Sequence, residues 1–575
     1  MLTLPTSLRV FAKTGPTDMR KSFNGLVGLV LKQANLSGGL HKKTRNLPSF
    51  RGYNGHGTRP QPTKQGGFRV KRSIQERLRQ AKRRIERRLD GPRIDQRKPM
   101  FAASSIRVEL ADKIRGIGVG GIGLVHRLAQ EIGLIDAIDR RLHLLKIHMP
   151  YHESDHVLNL AYNALCDGTR LEDIELRRND EVFLDALGTE RIPDPTTAGD
   201  FCRRFQEGDI RSLLRAADDA RLNVWAKQPK KFFDRATIDL DGTLVGTTGE
   251  CKAGMDISYK GTWGYHPLLA TLAETGEVLR LVNRSGNRPS HEGAAEEADE
   301  AIALCCRAGF RNIVLRGDTA FSQSERLDTW DTDGVTFYFG YKAMPNLEEI
   351  ADNLPKAAWQ KLLREPRYEV QTEPRRKPAN VKQRIIRRRE FEVLRLQGEE
   401  YAEFEYTPIA CKQSYRMIVL RKNISHEKGE TRLFDEIRYF FYITNDGAID
   451  AEDVVFEAND RCDQENLIAQ LAGGVRALSA PVDNLYSNWA YMVMTGLAWN
   501  LKSWWALWLP EDGRWREEHQ AQKHRVLRME FKTFLNAFIK IPCQIVRTGR
   551  QLIYRVLNYN PQLPVFFRLC RELRC

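Results

Sequence analysis

Residues 237 to 245 read T-I-D-L-D-G-T-L-V, and this stretch decides the predicted fold. Its apolar and β-branched residues are typical of a buried strand. Side chains two residues apart on a strand point to the same face, so Asp239 and Asp241 share one face. Two carboxylates on a buried face repel each other unless water, a basic partner or a metal compensates them. The stretch therefore predicts a strand that ends in an acidic site.

The sequence after this strand predicts the rest of an α/β core. Two further strands, H-P-L-L-A-T-L-A-E and V-L-R-L-V-N, are joined by T-G-E, which is typical of a hairpin. An alanine- and glutamate-rich helix follows and ends at Gly309. The next strand, R-N-I-V-L-R-G-D-T-A-F, carries Asp318 at its end. Three strands, a helix and a strand, with acids on the first and fourth strands, predict a ribonuclease-H-like core.

Composition favours a large protein with a polyanionic partner. The 575 residues exceed what one hydrophobic core usually supports, which predicts several domains. Lysine and arginine total 90 against 74 acidic residues, which gives a net charge of +16. This balance favours nucleic acid as the partner over the alternative of a merely basic, soluble protein.

Several classes of protein are excluded by what the sequence lacks. Ten scattered cysteines without a C-x-x-C pair argue against a zinc site and predict reduced, cytosolic thiols. No basic and apolar leader of a secretory signal is present. The tryptophan-rich stretch 485–509 is interrupted by Asn488, Asn500 and Lys502. We therefore expect buried core helices there, and no membrane partner.

Composition and periodicity divide the chain into seven predicted regions. Helical patterns dominate both ends, and a strand-rich stretch interrupts the core before its last helices. The predicted regions are an N-terminal segment (1–34), a basic, largely disordered linker (35–101), a mostly helical DNA-binding region (102–229), the first part of the core (230–345), a β-rich insertion (346–445), the second part of the core with a catalytic helix (446–510) and a helical, basic C-terminal region (511–575). Basic residues between Lys71 and Lys98 could form a short helix, as a DNA-binding arm or a solvated tail.

A third acid can complete the acidic site. The stretch D-R-C-D-Q-E-N-L-I predicts a helix on which Arg461 and Glu465 share a face. Carboxylates from two strands and a helix, Asp241, Asp318 and Glu465, can hold two divalent metals about 4 Å apart. Hard oxygen ligands favour Mg²⁺ or Mn²⁺ over zinc. Asp239 is the alternative ligand on the first strand. The structural alternative for Asp318 is a turn residue at the strand end. For Glu465 it is a position on a solvated helix face.

From about residue 102 to the C-terminus, the chain resembles the DDE transposases of bacterial insertion sequences. The similar group carries a strand-rich insertion before its final catalytic glutamate. The motifs that carry the resemblance are D-L-D-G-T, G-Y-H-P-L-L-A-T-L-A-E-T-G-E-V-L, L-R-G-D-T-A-F and R-C-D-Q-E-N-L-I. The resemblance implies an enzyme that binds the inverted-repeat ends of its element, hydrolyses the phosphodiester there with two Mg²⁺ or Mn²⁺ ions, and joins the freed 3′-hydroxyl to target DNA.

The resemblance also implies roles for individual residues. The same three acids, Asp241, Asp318 and Glu465, become the catalytic residues and metal ligands, and Arg461 contacts a DNA phosphate. The family signature has a tyrosine three residues before this arginine and a lysine seven after the glutamate, but alanines stand at both positions here, Ala458 and Ala472. A homodimer that holds two DNA ends, at the nucleoid of a bacterial cytoplasm, is the implied assembly and location.

Residues 1–30, within the predicted N-terminal segment, resemble a different kind of protein. Their segment G-P-T-D-M-R-K-S-F resembles the start of a small accessory protein from a different type of insertion sequence. A truncated piece of one mobile-element gene fused to another would explain this, and the piece would contribute no catalysis.

Two other functions stay open at this point. D-L-D-G-T-L-V also matches the nucleophile motif of haloacid-dehalogenase-like phosphatases, with Asp239 as nucleophile, Asp241 as general acid and one magnesium ion. However, that class needs an aspartate where Ser322 stands, and a helical excursion after the motif. The two alanines in the signature and the foreign N-terminal segment motivate the other alternative, a catalytically decayed transposase that still binds DNA.

Overall fold

The structure is a computed structural model that describes residues 66–90, 106–108, 114–148, 150–364, 380–549 and 551–575. The predicted N-terminal segment therefore lies outside the described residues, as does most of the predicted linker. The predicted basic loop inside the insertion lies largely outside them too.

Along the described chain, a run of helices precedes the strands of the core, and helices predominate again after the last long strand. The helices are α1 (Gly66–Leu89), α2 (Ile122–Glu131), α3 (Leu134–Arg141), α4 (Glu153–Leu165), α5 (Ile174–Arg178), α6 (Glu181–Leu187), α7 (Pro195–Arg203), α8 (Glu207–Trp225), α9 (Ala294–Ala308), α10 (Ser324–Thr332), α11 (Pro345–Asn353), α12 (Val381–Arg388), α13 (Ala451–Asp460), α14 (Cys462–Ala469), α15 (Leu485–Leu507), α16 (Arg516–Leu527), α17 (Phe531–Phe534) and α18 (Leu563–Glu572). The strands are β1 (Gly116–Ile117), β2 (Arg235–Gly242), β3 (Val245–Gly246), β4 (Asp256–Ile257), β5 (Trp263–Tyr265), β6 (Leu268–Leu272), β7 (Glu277–Val282), β8 (Asn312–Gly317), β9 (Val335–Tyr341), β10 (Gln360–Lys361), β11 (Glu392–Tyr406), β12 (Tyr415–Lys428), β13 (Thr431–Thr444), β14 (Cys543–Arg547) and β15 (Leu552–Val556).

Helix α1 occupies the basic part of the predicted linker. The expectation of a largely disordered linker is wrong for residues 66–89, which are helical. Arginine, glutamine, glutamate and leucine, which favour helix, make up most of this stretch. Its exposed basic residues include Arg77, Arg79, Lys82, Arg83, Arg84, Arg87 and Arg88.

Five strands form the predicted core. They lie in the order β7-β6-β2-β8-β9 within one nine-stranded sheet. Strands β2, β6 and β7 pair antiparallel, whereas β8 pairs parallel with β2 and β9 pairs parallel with β8. The turn between β6 and β7 contains Gly276 at a φ of +67°, a conformation that glycine favours. This order confirms the predicted ribonuclease-H-like α/β core.

The strands of the predicted insertion continue the core sheet. Strand β13 pairs antiparallel with β9, and β12, β11 and β10 follow it outward. The sequence predicts that this stretch interrupts the core and does not continue it. The structure differs, because Phe441 of β13 pairs with Tyr341 of β9 and so extends the core sheet. A long-range pairing of this kind leaves no local signal in sequence.

The tryptophan-rich stretch forms one helix, α15, whose residues are almost all buried. It packs against α4, α8 and β7. Trp504 Nε1 donates to Glu277 at 2.7 Å, so the indoles occupy the core as predicted. Within the described residues, no helix is long and apolar enough to cross a membrane.

The C-terminal region is only partly helical. Residues 543–547 (β14) pair antiparallel with residues 552–556 (β15), and β14 also pairs with β1. The prediction of a helical region at 511–575 is therefore wrong for these two strands. The alternation in C-Q-I-V-R and L-I-Y-R-V, with T-G-R between them in the sequence, is typical of strands. The sequence on both sides of this segment favours helix, and this is why the whole region is predicted to be helical.

Lys502 is a buried cation inside α15. Its side chain is fully buried, and its Nζ donates to Leu527 O at 2.6 Å. Burial lowers the pKa of Lys502 to about 7. Because the folded-state pKa lies below the unfolded one, the penalty for burying the charge is full below pH 7 and declines as the pH rises above it.

We expect Lys502→Met to raise the free energy of unfolding, by on the order of 2 kcal/mol more at pH 6 than at pH 9. Urea unfolding of both proteins at the two pH values measures this difference. Lys227→Met, which removes an exposed lysine above the Trp508 ring, serves as the control. An equal effect of Lys502→Met at both pH values would contradict the expectation.

Candidate active site

Strand β2 carries both aspartates of the stretch T-I-D-L-D-G-T-L-V. Asp239 lies inside the strand and is 1% exposed, whereas Asp241 lies one residue before the strand end and is half-buried. Strand β6 flanks β2 on one side and β8 flanks it on the other. The two acids share a face, as alternation along the strand requires, but their surroundings differ.

The parallel register of β2 and β8 brings a second acid to the same place. Leu240 lies opposite Gly317 in this ladder. The next residues along the two strands are Asp241 and Asp318, so these two acids lie side by side at the carboxyl ends of neighbouring strands.

A tight turn holds Asp318 at the end of β8. The Ala320 N–H donates to Asp318 Oδ1 at 2.8 Å, and the Phe321 N–H donates to the Asp318 carbonyl at 3.0 Å. Phe321 is fully buried and anchors the turn in the core. A Cβ on Gly317 would lie 2.7 Å from the Phe321 Cβ, and one on Gly340 would lie 3.0 Å from a backbone nitrogen of the turn. The motif G-D-T-A-F therefore needs its glycine and its phenylalanine to present the acid.

Helices α13 and α14 bring Glu465 and Arg461 over this end of the sheet. Gln464 is 3% exposed, and its Nε2 donates to the Asp239 carbonyl at 2.9 Å, which fixes α14 on β2. Glu465 follows it on the exposed side of the helix. Arg461 lies at the junction of the two helices.

The electrostatics of Asp241 links these residues. Burial raises the pKa of Asp241 to about 6. A hydrogen bond from the Gly242 N–H and the charge of Arg461 oppose this shift. The negative charges of Asp318 and Glu465 reinforce it. The structure therefore brings together the three sequence-predicted acids and the sequence-predicted arginine.

The acids lie close to one another but do not form a complete metal-binding site. Among the described residues, no group of three or more His, Cys, Asp or Glu side chains is already spaced to hold a metal ion. Glu465 is exposed.

Asp239 has a different environment, because a buried arginine neutralises it. Arg316 donates to both of its oxygens, from Nε at 2.7 Å and from Nη2 at 3.0 Å. Burial alone would lower the pKa of Arg316, but the hydrogen bond to Asp239 raises it above its ordinary value. Arg316 Nη1 also lies 3.5 Å from a Glu457 oxygen, and Arg235 pairs with Glu457 at 2.7 Å. The alternative ligand or nucleophile predicted from sequence is thus held in an ion-pair network that joins β2, β8 and α13.

Sequence analysis missed the residues that support the acids. Arg316 precedes Asp318 by two residues in a strand, so period-two alternation could have placed it on the acidic face. Gln464 adjoins Glu465, but nothing in the sequence marks it as buried. Glu457 had no signal, because its role depends on how α13 packs on the sheet.

The two alanines that depart from the family signature have different surroundings. Ala458 is 3% exposed and packs in a hydrophobic cluster with Tyr338, Leu420 and Val454. Ala472 is exposed in the π-helical turn 470–474.

A ribonuclease-H-like sheet with acids at the ends of its first and fourth strands defines a class of phosphodiester-cleaving enzymes. The sequence profile of the family described as Transposase DDE domain group 1 matches residues 117–575, and the chain belongs to this family. The resemblance predicted from the motifs is therefore confirmed, and the protein is a DDE-type transposase.

Other comparisons are more distant. Among solved structures, the chain is similar to a piggyBac transposase in a synaptic complex with hairpin DNA, at 12% identity and a TM-score of 0.32. This similarity covers 74% of the present chain and 81% of the other one. No curated protein matches the chain.

DDE transposases use divalent metal ions, and the acids of this site are of the chemical type that binds them, although in the described residues they are not spaced to hold one. All three acids offer carboxylate oxygens, the ligands that hard divalent cations prefer. Burial raises the pKa of Asp241, and the charges of Asp318 and Glu465 add to this shift, so a bound cation would stabilise the ionised carboxylate.

We expect Asp239→Asn to lower the free energy of unfolding by about 3 kcal/mol, because it removes the carboxylate that accepts two close hydrogen bonds from the buried charge of Arg316. Chemical denaturation measures the loss. Asp453→Asn, at an exposed position of α13, is the control and should change stability little. A loss no larger than that of the control would contradict a structural role for Asp239.

We also expect the apparent affinity for Mn²⁺ to fall about tenfold per pH unit below pH 6, because protonated Asp241 cannot bind a cation. Calorimetric titration of the metal-free protein between pH 5 and pH 8 measures this dependence. Asp241→Asn should remove it. An affinity that is constant over this range in the unmodified protein would contradict the shifted pKa.

Proposed function

We propose that this transposase binds the ends of its own insertion sequence, hydrolyses the phosphodiester at each end and joins the freed 3′-hydroxyl to target DNA. The proposal is supported by the neighbouring positions of Asp241 and Asp318 at the carboxyl ends of β2 and β8, and by the charges of Asp318 and Glu465, which act on Asp241. Carboxylates from two strands and a helix are the ligand set for two-metal phosphodiester chemistry.

The proposed roles of the chain's residues follow from their positions. Asp241, Asp318 and Glu465 would hold two Mg²⁺ or Mn²⁺ ions. Bound there, such ions supply an activated water or hydroxyl and stabilise charge on the leaving oxygen. Arg461 would contact a phosphate next to the reacting one, since its charge acts on Asp241. Asp239 would remain a positioning residue through its pair with Arg316.

Charge supports DNA as the substrate. The net charge of +16 attracts a polyanion, and the exposed basic residues of α1 add a phosphate-binding surface. Beside the outer strands, Arg384, Arg387 and Arg388 of α12 and Lys428 of β12 line an open cavity of about 820 Å³, together with two glutamates. We propose that these basic surfaces hold the DNA that flanks the cleaved end.

A homodimer is the expected working assembly, because two DNA ends must be joined in one event. We expect the protein to act at the nucleoid of a bacterial cytoplasm, where chromosomal target DNA lies. Both statements stay predictions from the family.

The alternative of a phosphatase is disfavoured by the geometry of its required nucleophile. Asp239 is 1% exposed, and both of its oxygens accept hydrogen bonds from Arg316, so neither is available for attack. The alternative of a decayed transposase predicts tight DNA binding without cleavage, which the following experiment separates from an active enzyme.

We expect Asp241→Asn, Asp318→Asn and Glu465→Gln each to slow nicking of an end-containing duplex on the order of a thousandfold, because each removes one ligand charge. Gel analysis of cleaved strands in the presence of Mg²⁺ measures the rate, and a gel shift confirms that DNA binding persists. Glu325→Gln, at an exposed position of α10, is the matched control. An unmodified chain that binds the end tightly but leaves it intact would support the decayed enzyme and contradict the proposal.

A further inference from the structure

A small separate sheet rises from the strand end that carries Asp241. Strands β3, β5 and β4 pair antiparallel in that order, within the excursion between β2 and β6. Strand β3 begins at Val245, four residues after Asp241, and β5 ends immediately before His266. We call this element the satellite sheet (residues 245–265). Both of its chain connections to the core lie at the acidic end of β2.

Close backbone packing holds the satellite sheet in place. A Cβ on Gly264 would lie 2.0 Å from the Val245 carbonyl oxygen, so only glycine allows these strands to approach so closely. Lys252 Nζ donates to the carbonyls of Ala480 and Val482, both at 2.6 Å. These bonds tie the excursion to the segment that follows the helix of Glu465. The satellite sheet is therefore a fixed element beside the site.

The tip of the satellite sheet is an ordered turn of residues 258–262. The Ser258 N–H donates to Thr262 O at 2.9 Å, and the Thr262 N–H donates to Ser258 Oγ at 3.0 Å. Gly261 has a φ of +75°, the left-handed conformation that the turn requires. The turn therefore fixes the direction in which its two outer residues project.

Those two outer residues are an exposed aromatic ring and a cation. Tyr259 is 77% exposed, and Lys260 Nζ lies 5.3 Å from the centre of its ring. Ile257, at the start of the turn, is 59% exposed. A fixed turn that presents an aromatic face and a cation to solvent has the chemistry that recognises an unpaired base and its phosphate.

The base of the satellite sheet lies next to the acids. A Cβ on Gly242, the residue after Asp241, would lie 2.9 Å from His266 Nε2, and His266 directly follows β5. Gly242 also pairs with Leu268 of β6. The satellite sheet therefore projects from the strand end that carries Asp241.

We propose that Tyr259 stacks on the terminal base of the DNA end while Lys260 contacts the adjoining phosphate, which positions the scissile bond over the acids. The inference rests on the proposed function and names a positioning element for it. DNA is favoured over a protein contact at this tip because the satellite sheet projects from the strand end that carries Asp241 and its tip carries a cation.

The test uses the full-length chain and a duplex with the terminal sequence of its own element, carrying 2-aminopurine at the terminal base. Stacking on tyrosine changes the fluorescence of this base. We expect Tyr259→Ala to lose the fluorescence change and to slow nicking about 10- to 100-fold. Tyr259→Phe keeps the ring and should keep both properties. Lys260→Gln should reduce the salt dependence of binding by about one phosphate contact.

Two controls separate this inference from the function on which it rests. Asp318→Asn should lose nicking but keep the fluorescence change, because stacking does not need the acids. Trp515→Ala removes another exposed aromatic ring and should change neither property. Thermal unfolding of each variant confirms that it folds, which the exposed position of Tyr259 predicts.

Three outcomes would overturn the inference. Tyr259→Ala could nick and fluoresce like the unmodified chain, which would overturn this inference alone. Tyr259→Ala could change the oligomeric state in sedimentation while DNA handling stays normal, which would make the tip a protein contact. The unmodified chain could fail to bind the end at all, which would overturn the proposed function and this inference together.

Discussion

The buried ion pair between Asp239 and Arg316 is the interaction on which the acidic site depends. It joins opposite positions in the parallel ladder of β2 and β8, so it specifies which residues lie side by side at the strand ends. A shift of this register by one residue would turn Asp318 away from the face of Asp241. A buried ion pair contributes little net stability when both charges are present, but a mismatched register would leave both charges unpaired. The pair therefore contributes mainly to the specificity of the fold.

The same face of the sheet holds acids of two kinds. Asp239 is neutralised inside the strand, and its network reaches α13 through Glu457. Asp241 lies one step further along, where burial and the nearby acids raise its pKa. The charge of Arg461 acts in the opposite direction. The carboxylate inside the sheet is thus paired with an arginine. The acids at the strand ends lie where substrate and cations can reach them.

Much of this arrangement was predictable because it is encoded locally. The strand of Asp239 and Asp241, the hairpin after it and the motif around Asp318 each carry their own periodicity, and their order alone specifies the core. The pairing of Arg316 with Asp239 depends on register between strands that are distant in sequence. The pairing of β13 with β9 likewise joins strands that are distant in sequence. The satellite sheet was missed because strands of two or three residues are too short to show periodicity.

The central claim is that Asp241, Asp318 and Glu465 act on DNA through bound metal. Its most direct test is a change of ligand softness, since thiolate binds Mg²⁺ poorly and accepts softer cations more readily. The nicking rate of Asp318→Cys should be measured on an end-containing duplex in Mg²⁺ and in Mn²⁺. The account predicts loss of activity in Mg²⁺ and substantial recovery in Mn²⁺. Equal activity of this variant in both metals would contradict it.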